Sequence, residues 1–346
     1  MIKIEYINEL KINEAVIHIL DQGGDDVIYN EFYLNLEDDE VNNFIWKHVT
    51  KCLKDENIKY GKFLSQSFVN ECCHKFFRCE DDLLEISKTL AKSLMDIMKN
   101  DKAIPSCDLM VVSILSDLGP LIGIFKMDYI KNYAHKVDVI GDKVGIDIIS
   151  QFTGLPSSPQ RILKCAFLKP YDENDNVNAY VIDRRIAKKT ESVNEDFFIK
   201  DFLNCNLERN QRDNTKDFLK SSEQWIRENY MEDAEKSYDI REGIKEKLEN
   251  EDKINLDEIA RTVIPDEILK DSFKEHVESY GVDKEIEVDK AFVNSKFKRR
   301  RIRVDNSIDI YIDDINYNDS DKFEIQRIGD GRINILIKNI EFFVEK

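Results

Sequence analysis

The chain has 346 residues, 42% of them apolar, with 19 Phe and 13 Tyr, and a formal net charge of −18. That apolar content builds real cores and excludes a disordered acidic tail, while the length suits two domains. Twelve Gly and six Pro exclude collagen-like or linker-rich designs, and no apolar run approaches the roughly 20 residues of a membrane span.

The opening Met1-Ile-Lys-Ile-Glu-Tyr lacks the basic and apolar regions of a signal peptide, so a cytoplasmic protein is expected. Apolar residues Val41, Phe44, Ile45, Val49 and Cys52 recur at helical spacing behind an acidic first turn, which predicts a helix over Asp38–Asn57. Helices are likewise expected over Phe63–Phe77 and Glu80–Asn100. The apolar runs Leu109–Leu115 and Leu121–Tyr129, split by Gly119-Pro120, read as a hairpin. Gly141–Phe152 reads as strand-like, and Arg161–Leu168 with Val177–Ile182 as a second hairpin. Helices return at Asn194–Asn204 and Asp213–Met231.

The stretch Asp233–Asp252 is charged and thin in apolar residues, so the domain boundary is expected there. Beyond it, Asn255 can cap a helix through Val263. Pro265 suits the first position of the next helix, which Gly281 can end. Ile308, Ile310 and Ile312 alternate with Asp309, Tyr311 and Asp313, a strand pattern, and Phe323–Ile328 and Arg332–Ile337 flank the turn signal Gly329-Asp-Gly331. The fold class is α+β. Residues 1–235 form an α+β scaffold domain, 236–254 a charged connecting segment, and 255–346 a helix-then-sheet domain.

Catalytic patterns are thin. The five histidines are scattered, and no phosphate-loop or dinucleotide fingerprint occurs. Cys72-Cys73-His74 with Cys79 contains two adjacent cysteines, which point about 100° apart on a helix, and no Cys-x-x-Cys exists. The seven cysteines therefore read as reduced, mostly buried thiols and not as a zinc site. Asp172–Asn176 opens like a calcium loop, but Val177 stands where the loop needs Gly, so a polar hairpin loop is the simpler reading. A metal-dependent nuclease needs a second carboxylate two residues before Lys126, to act with Asp108; that position holds Ile124. Asp309 and Asp313 share a strand face suited to solvent. No cofactor and no metal is expected, and the protein is read as a non-enzyme.

One feature stands against the acidic background. Lys296, Lys298, Arg299, Arg300, Arg301 and Arg303 fall within eight residues, and the net −18 already counts them. An acidic surface repels phosphate unless positive charge is gathered locally. In an extended strand Arg299, Arg301 and Arg303 share one face at roughly 6.6 Å spacing, a pitch that can track a phosphate backbone without reading bases. The bland alternative is a solvated edge strand that uses charge against aggregation. Arg184 and Arg185, with Lys188 and Lys189, form a smaller cluster that could extend such a surface or be an ordinary strand exit.

Ala15-Val-Ile-His-Ile-Leu-Asp21, Ile104–Leu115, Leu121–Tyr129 with its Phe-Lys-Met-Asp-Tyr ending, and Arg161–Phe167 are collinear with segments of a known family. The aromatic stretch Phe197–Leu203 and the closing helix-then-sheet order agree as well. On these segments the chain resembles the bacterial nucleoid-associated proteins typified by NdpA and YejK, over nearly its whole length, with Cys107 where that family carries a small residue. The resemblance implies nucleoid association and DNA binding, and it brings no catalytic or binding residues to carry over. The leading expectation is a non-catalytic DNA-binding protein of the cytoplasmic nucleoid, its DNA taken as duplex. The alternatives are an interaction factor that acts on DNA-processing proteins, whose basic surfaces an acidic chain suits, and a metal-dependent nuclease or defence effector. Oligomeric state is left open, a homo-oligomer included.

Overall fold

The computed structural model describes residue 7 and residues 9–342 apart from 25, 118, 141–142, 158–159, 171–176, 185–195, 232, 305–306 and 329–331. At 132, 140, 152, 153, 234, 301, 303 and 327 it describes the backbone only. The chain divides into two compact units, Met1–Glu208 and Arg209–Lys346.

The first unit begins with β1 (Leu10–Leu20), α1 (Asp39–Leu53), β2 (Lys59–Phe63), α2 (Phe68–Phe77) and α3 (Leu83–Asn100). Four strands follow: β3 (Cys107–Ser116), β4 (Gly119–Asp128), β5 (Ile130–Ile140) and β6 (Lys143–Gly154). Then come β7 (Lys164–Leu168), β8 (Ala179–Asp183), a short π-helix Phe198–Leu203 and β9 (Cys205–Glu208). Seven strands make one antiparallel sheet, in the order β1-β3-β4-β7-β8-β2-β9.

Both faces of this sheet are covered. Leu109, Val111, Ile122, Ala166 and Val181 point into a core closed by α2, α3 and the π-helix. Their neighbours Met110, Val112, Leu121, Cys165, Phe167 and Ile182 point into a second core closed by α1. Burial on two sides is why β3 reads as a continuous apolar run and not as an alternating one. Helix ends follow local chemistry: Asp38 accepts from the amides of Glu40 and Val41, and Asp82 from Glu85 at 2.9 Å. On the α3 side of the sheet lie fully buried polar groups that need partners. His18 on β1 accepts the Asn30 amide at Nδ1 (3.1 Å) and places Nε2 2.7 Å from Ser87 Oγ, whose hydroxyl donates to the Leu84 carbonyl at 2.7 Å.

The second unit holds α4 (Gln211–Asn229), α5 (Ala234–Asn250), β10 (Lys253–Asn255), α6 (Leu256–Val263), α7 (Glu267–Ser279), β11 (Glu285–Glu287) and α8 (Lys290–Phe297). Its core joins Phe218, Trp225 and Ile226 of α4, Ile240, Ile244 and Leu248 of α5, and Phe273 and Val277 of α7. Asn255 caps α6 through bonds to the Asp257 and Glu258 amides, as expected. Gly281, at φ +74°, ends α7, a backbone state that costs glycine little. The chain closes with β12 (Arg299–Val304), β13 (Ile308–Asp313), α9 (Asp314–Asn318), β14 (Phe323–Arg327) and β15 (Ile333–Ile337), as two separate antiparallel hairpins.

Several expectations change. The charged stretch 236–254 is not a connector: most of it is α5, whose Ile240, Ile244 and Leu248, spaced four apart, enter the second unit's core. The units divide at 208/209, earlier than the sequence suggested. Phe63–Phe77 is the end of β2 followed by α2, with Ser67 as the cap. The helix expected over Asn194–Asn204 reduces, among the described residues, to the π-helix, after which the chain enters β9 and pairs with β2. Pro265 stands one residue before the Asp266 cap, outside α7. The turn 329–331 lies outside the described residues.

Candidate nucleic-acid interface

The basic run straddles a helix end and a strand. Lys296 sits in the last turn of α8, where a cation suits the helix dipole, and Lys298 is its C-cap residue. Arg299 starts β12. Lys296, Lys298 and Arg299 are exposed and belong to one short segment. Because β12 is extended, Arg299, Arg301 and Arg303 take alternate positions on one face of the hairpin, as expected.

The register adds what the single strand could not show. Arg299 pairs with Asp313, Arg301 with Tyr311 and Arg303 with Asp309. Directly opposed residues share a face, so the arginine row is set against an Asp-Tyr-Asp row from β13. Arg299 Nε donates to Asp313 Oδ1 at 2.8 Å, with both side chains largely exposed. Such a pair is worth about 0–1 kcal/mol and weakens with salt. It holds Arg299 loosely, so a phosphate can compete for it.

The opposite face of the hairpin is apolar, with Ile302, Val304, Ile308, Ile310 and Ile312, and it carries Arg300. This arginine does different work. Nη1 and Nη2 grip both carboxylate oxygens of Glu242 on α5, at 2.7 and 3.2 Å, and Nε donates to Asp314 at 2.5 Å. The guanidinium lies 4.1 Å over the Tyr317 ring. Lys245, itself nearly buried, donates to the same Asp314 oxygen at 2.7 Å. Burial would raise the Asp314 carboxyl, but the hydrogen bonds from Lys245 and Arg300 outweigh it and hold it below the usual carboxylate range. Burial would lower Arg300, yet its two acidic partners drive it above the ordinary arginine value. Arg300 therefore fastens the hairpin to α5 and α9 and is not available to a phosphate.

Arg184 is committed in the same way inside the first unit. It donates to the Ile162 carbonyl at 2.6 Å and to Asp55, with both charged side chains mostly buried. Its contribution to a phosphate-binding surface is not carried by this geometry. Arg185, Lys188 and Lys189 lie outside the described residues.

The rival constellations are also placed. Asp108 accepts the Tyr129 hydroxyl at 2.6 Å, and burial raises its carboxyl pKa. Lys126, fully buried, donates to Asp128 and to the Pro105 carbonyl at 3.4 Å. The carboxylate nearest that lysine thus serves as its counter-ion. Cys72 and Cys73 are buried in the first core, which pushes the Cys72 thiol up to about 11 and Cys73 further in the same direction. A thiol that resists ionisation is a poor metal ligand or nucleophile. Among the described residues no three His, Cys, Asp or Glu side chains are grouped as a metal would require, and no helix is long and apolar enough to cross a membrane.

Together these features define a two-unit α+β protein whose second unit displays a short basic segment, Lys296, Lys298 and Arg299, at the root of a two-stranded hairpin. A family model described as nucleoid-associated protein YejK matches residues 16–343, nearly the whole chain, so the protein belongs to that nucleoid-associated family. A comparison with curated proteins gives no match.

Proposed function

We propose that this protein binds duplex DNA directly and without sequence preference, as a non-catalytic component of the cytoplasmic nucleoid. The observation that carries the reading is the exposed trio Lys296, Lys298 and Arg299 at the root of a strand with arginines at alternate positions. Membership of a nucleoid-associated family gives that trio a polyanion to meet. No helix carries the run into a groove, so the contacts are to phosphate and the binding is governed by salt.

The test is duplex-DNA affinity at several salt concentrations for wild type and for Lys296→Ala/Lys298→Ala/Arg299→Ala. Each phosphate contact contributes about 0.9 to the slope of log affinity against log salt. Loss of all three lowers the slope by up to about 2.7. An unchanged affinity and slope places the interface elsewhere. If the wild type shifts no DNA at low salt yet is retained on isolated nucleoids, the interaction-factor reading replaces this one. Plasmid nicking with Mg²⁺ or Mn²⁺ brings back the nuclease.

A further inference from the structure

Strands β5 and β6 form a sheet of their own, a two-stranded ribbon inserted between β4 and β7, which are hydrogen-bonded neighbours in the main sheet. With 11 and 12 residues they are among the longest strands of the chain. Among the described residues, none of either strand belongs to the three hydrophobic clusters. Register sorts the side chains. Tyr133 stands opposite Ser150, His135 opposite Ile148, Val137 opposite Ile146 and Val139 opposite Val144 on one face. The other face carries Lys136, Asp138, Lys143 and Asp147, with Lys136 and Asp138 ion-paired at 3.0 Å. The ribbon is therefore amphipathic, yet its apolar face is bare: Tyr133, Val137, Val139, Val144, Ile146 and Ile148 are 52–73% exposed.

A lone two-stranded ribbon is marginal in water, and a contiguous apolar patch of this size marks an interaction surface. We propose that this face is the dimerisation surface of the protein, covered by the same face of a second copy. Area supports that occupant. The six side chains leave on the order of 700 Å² open per copy, close to the roughly 800 Å² per partner of a standard interface. Charge supports it as well. A chain at −18 repels its own copies almost everywhere, whereas this face carries no acidic group among the described residues. Its described ionisable groups are His135 and, at the root of β5, Lys131, whose ammonium lies 5.1 Å over the Tyr133 ring. Two such faces meet without like-charge acidic repulsion, and a two-fold axis makes one apolar patch complementary to itself. Nucleic acid does not fit, since Lys136 and Lys143 lie on the far side.

The test is the molar mass of the full chain by sedimentation or light scattering, with circular dichroism as the folding control. Wild type is expected to dimerise. Ile146→Glu/Ile148→Glu places two carboxylates in the seam and weakens dimerisation at least about 100-fold, whereas Asp147→Ala on the opposite face leaves it unchanged. Cysteine cross-linking tests the same face without burying charge. Ile146→Cys forms a disulfide-linked dimer under mild oxidation, and Asp147→Cys does not. A wild type that stays monomeric at about 100 µM overturns the proposal, whether or not it then captures lipid vesicles or another protein. A dimer that survives Ile146→Glu/Ile148→Glu, or that cross-links through Asp147→Cys, also overturns it.

Discussion

Arg299 and Arg300 are adjacent and chemically identical, and they face opposite fates. Arg300 is bidentate to Glu242, bonded to Asp314 and stacked on Tyr317, with its side chain mostly buried. Arg300→Ala strands the Glu242 carboxylate, leaves Asp314 with Lys245 as its remaining cation and unstacks a tyrosine, at a cost of about 2 kcal/mol once partial solvent screening is allowed for. Lysine offers a point charge and no fork, so Arg300→Lys recovers only part of this. Arg299→Ala costs less than about 0.5 kcal/mol. Urea unfolding of the three variants, followed in the second unit by Trp225 fluorescence, checks the ranking; equal costs for Arg299 and Arg300 would remove the fastening role. His18 gives a pH signature at the same scale. Burial, then the nearby Lys88 charge, lower its pKa from 6.5 to about 4. The folded state therefore keeps His18 neutral while the unfolded chain takes up a proton below pH 6.5. The resulting stability is fully present above pH 6.5 and is lost as pH falls toward 4, by up to about 3 kcal/mol. His48, also lowered by burial, adds in the same sense. His18→Gln flattens the difference in urea midpoint between pH 7.5 and pH 5, and an unflattened difference would assign it to other groups.

Elements were legible in the sequence where local pattern and burial agree. The β3–β4 hairpin, the long helix α3, the Asn255 cap of α6 and the alternation of β13 all follow from side-chain order. What escaped was decided by distant partners. β2 has no pattern of its own and exists because β8 and β9 pair with it. The charge of α5 hides Ile240, Ile244 and Leu248, which only a core on one side explains. For the candidate site, the strand and its arginine alternation were legible, but the Asp-Tyr-Asp row opposite and the Glu242 clasp were not, because register and tertiary contact set them. The ribbon was half seen: Tyr133, Val137 and Val139 alternate with Ala134, Lys136 and Asp138, a period-two signal that could have extended the strand reading past Tyr129. The boundary at 208/209 leads to a prediction about fragments. Residues 209–346 keep α4 and α5 together and unfold cooperatively. Residues 236–346 lose Phe218, Trp225 and Ile226 from the core and do not. Chemical denaturation of the two fragments decides, and cooperative unfolding of the shorter one would restore the later boundary.

At the scale of the whole molecule, a chain at −18 approaches a polyanion against its own field. One short segment with three exposed cations, Lys296, Lys298 and Arg299, grips weakly at physiological salt. Dimerisation through the ribbon changes that balance without adding a contact to either copy. Two basic segments joined in one particle make the second engagement intramolecular, so overall affinity rises far beyond that of one site when geometry permits both to bind. The two proposals then meet in one measurement. Ile146→Glu/Ile148→Glu leaves every cation of the second unit in place, yet it lowers affinity for long duplex DNA at least about tenfold and roughly halves the salt slope, because half of the phosphate contacts are lost per particle. On a duplex too short to span two sites, wild type and variant bind alike. If the variant is monomeric but equal to wild type on long DNA, each copy binds alone and the ribbon serves assembly without serving grip.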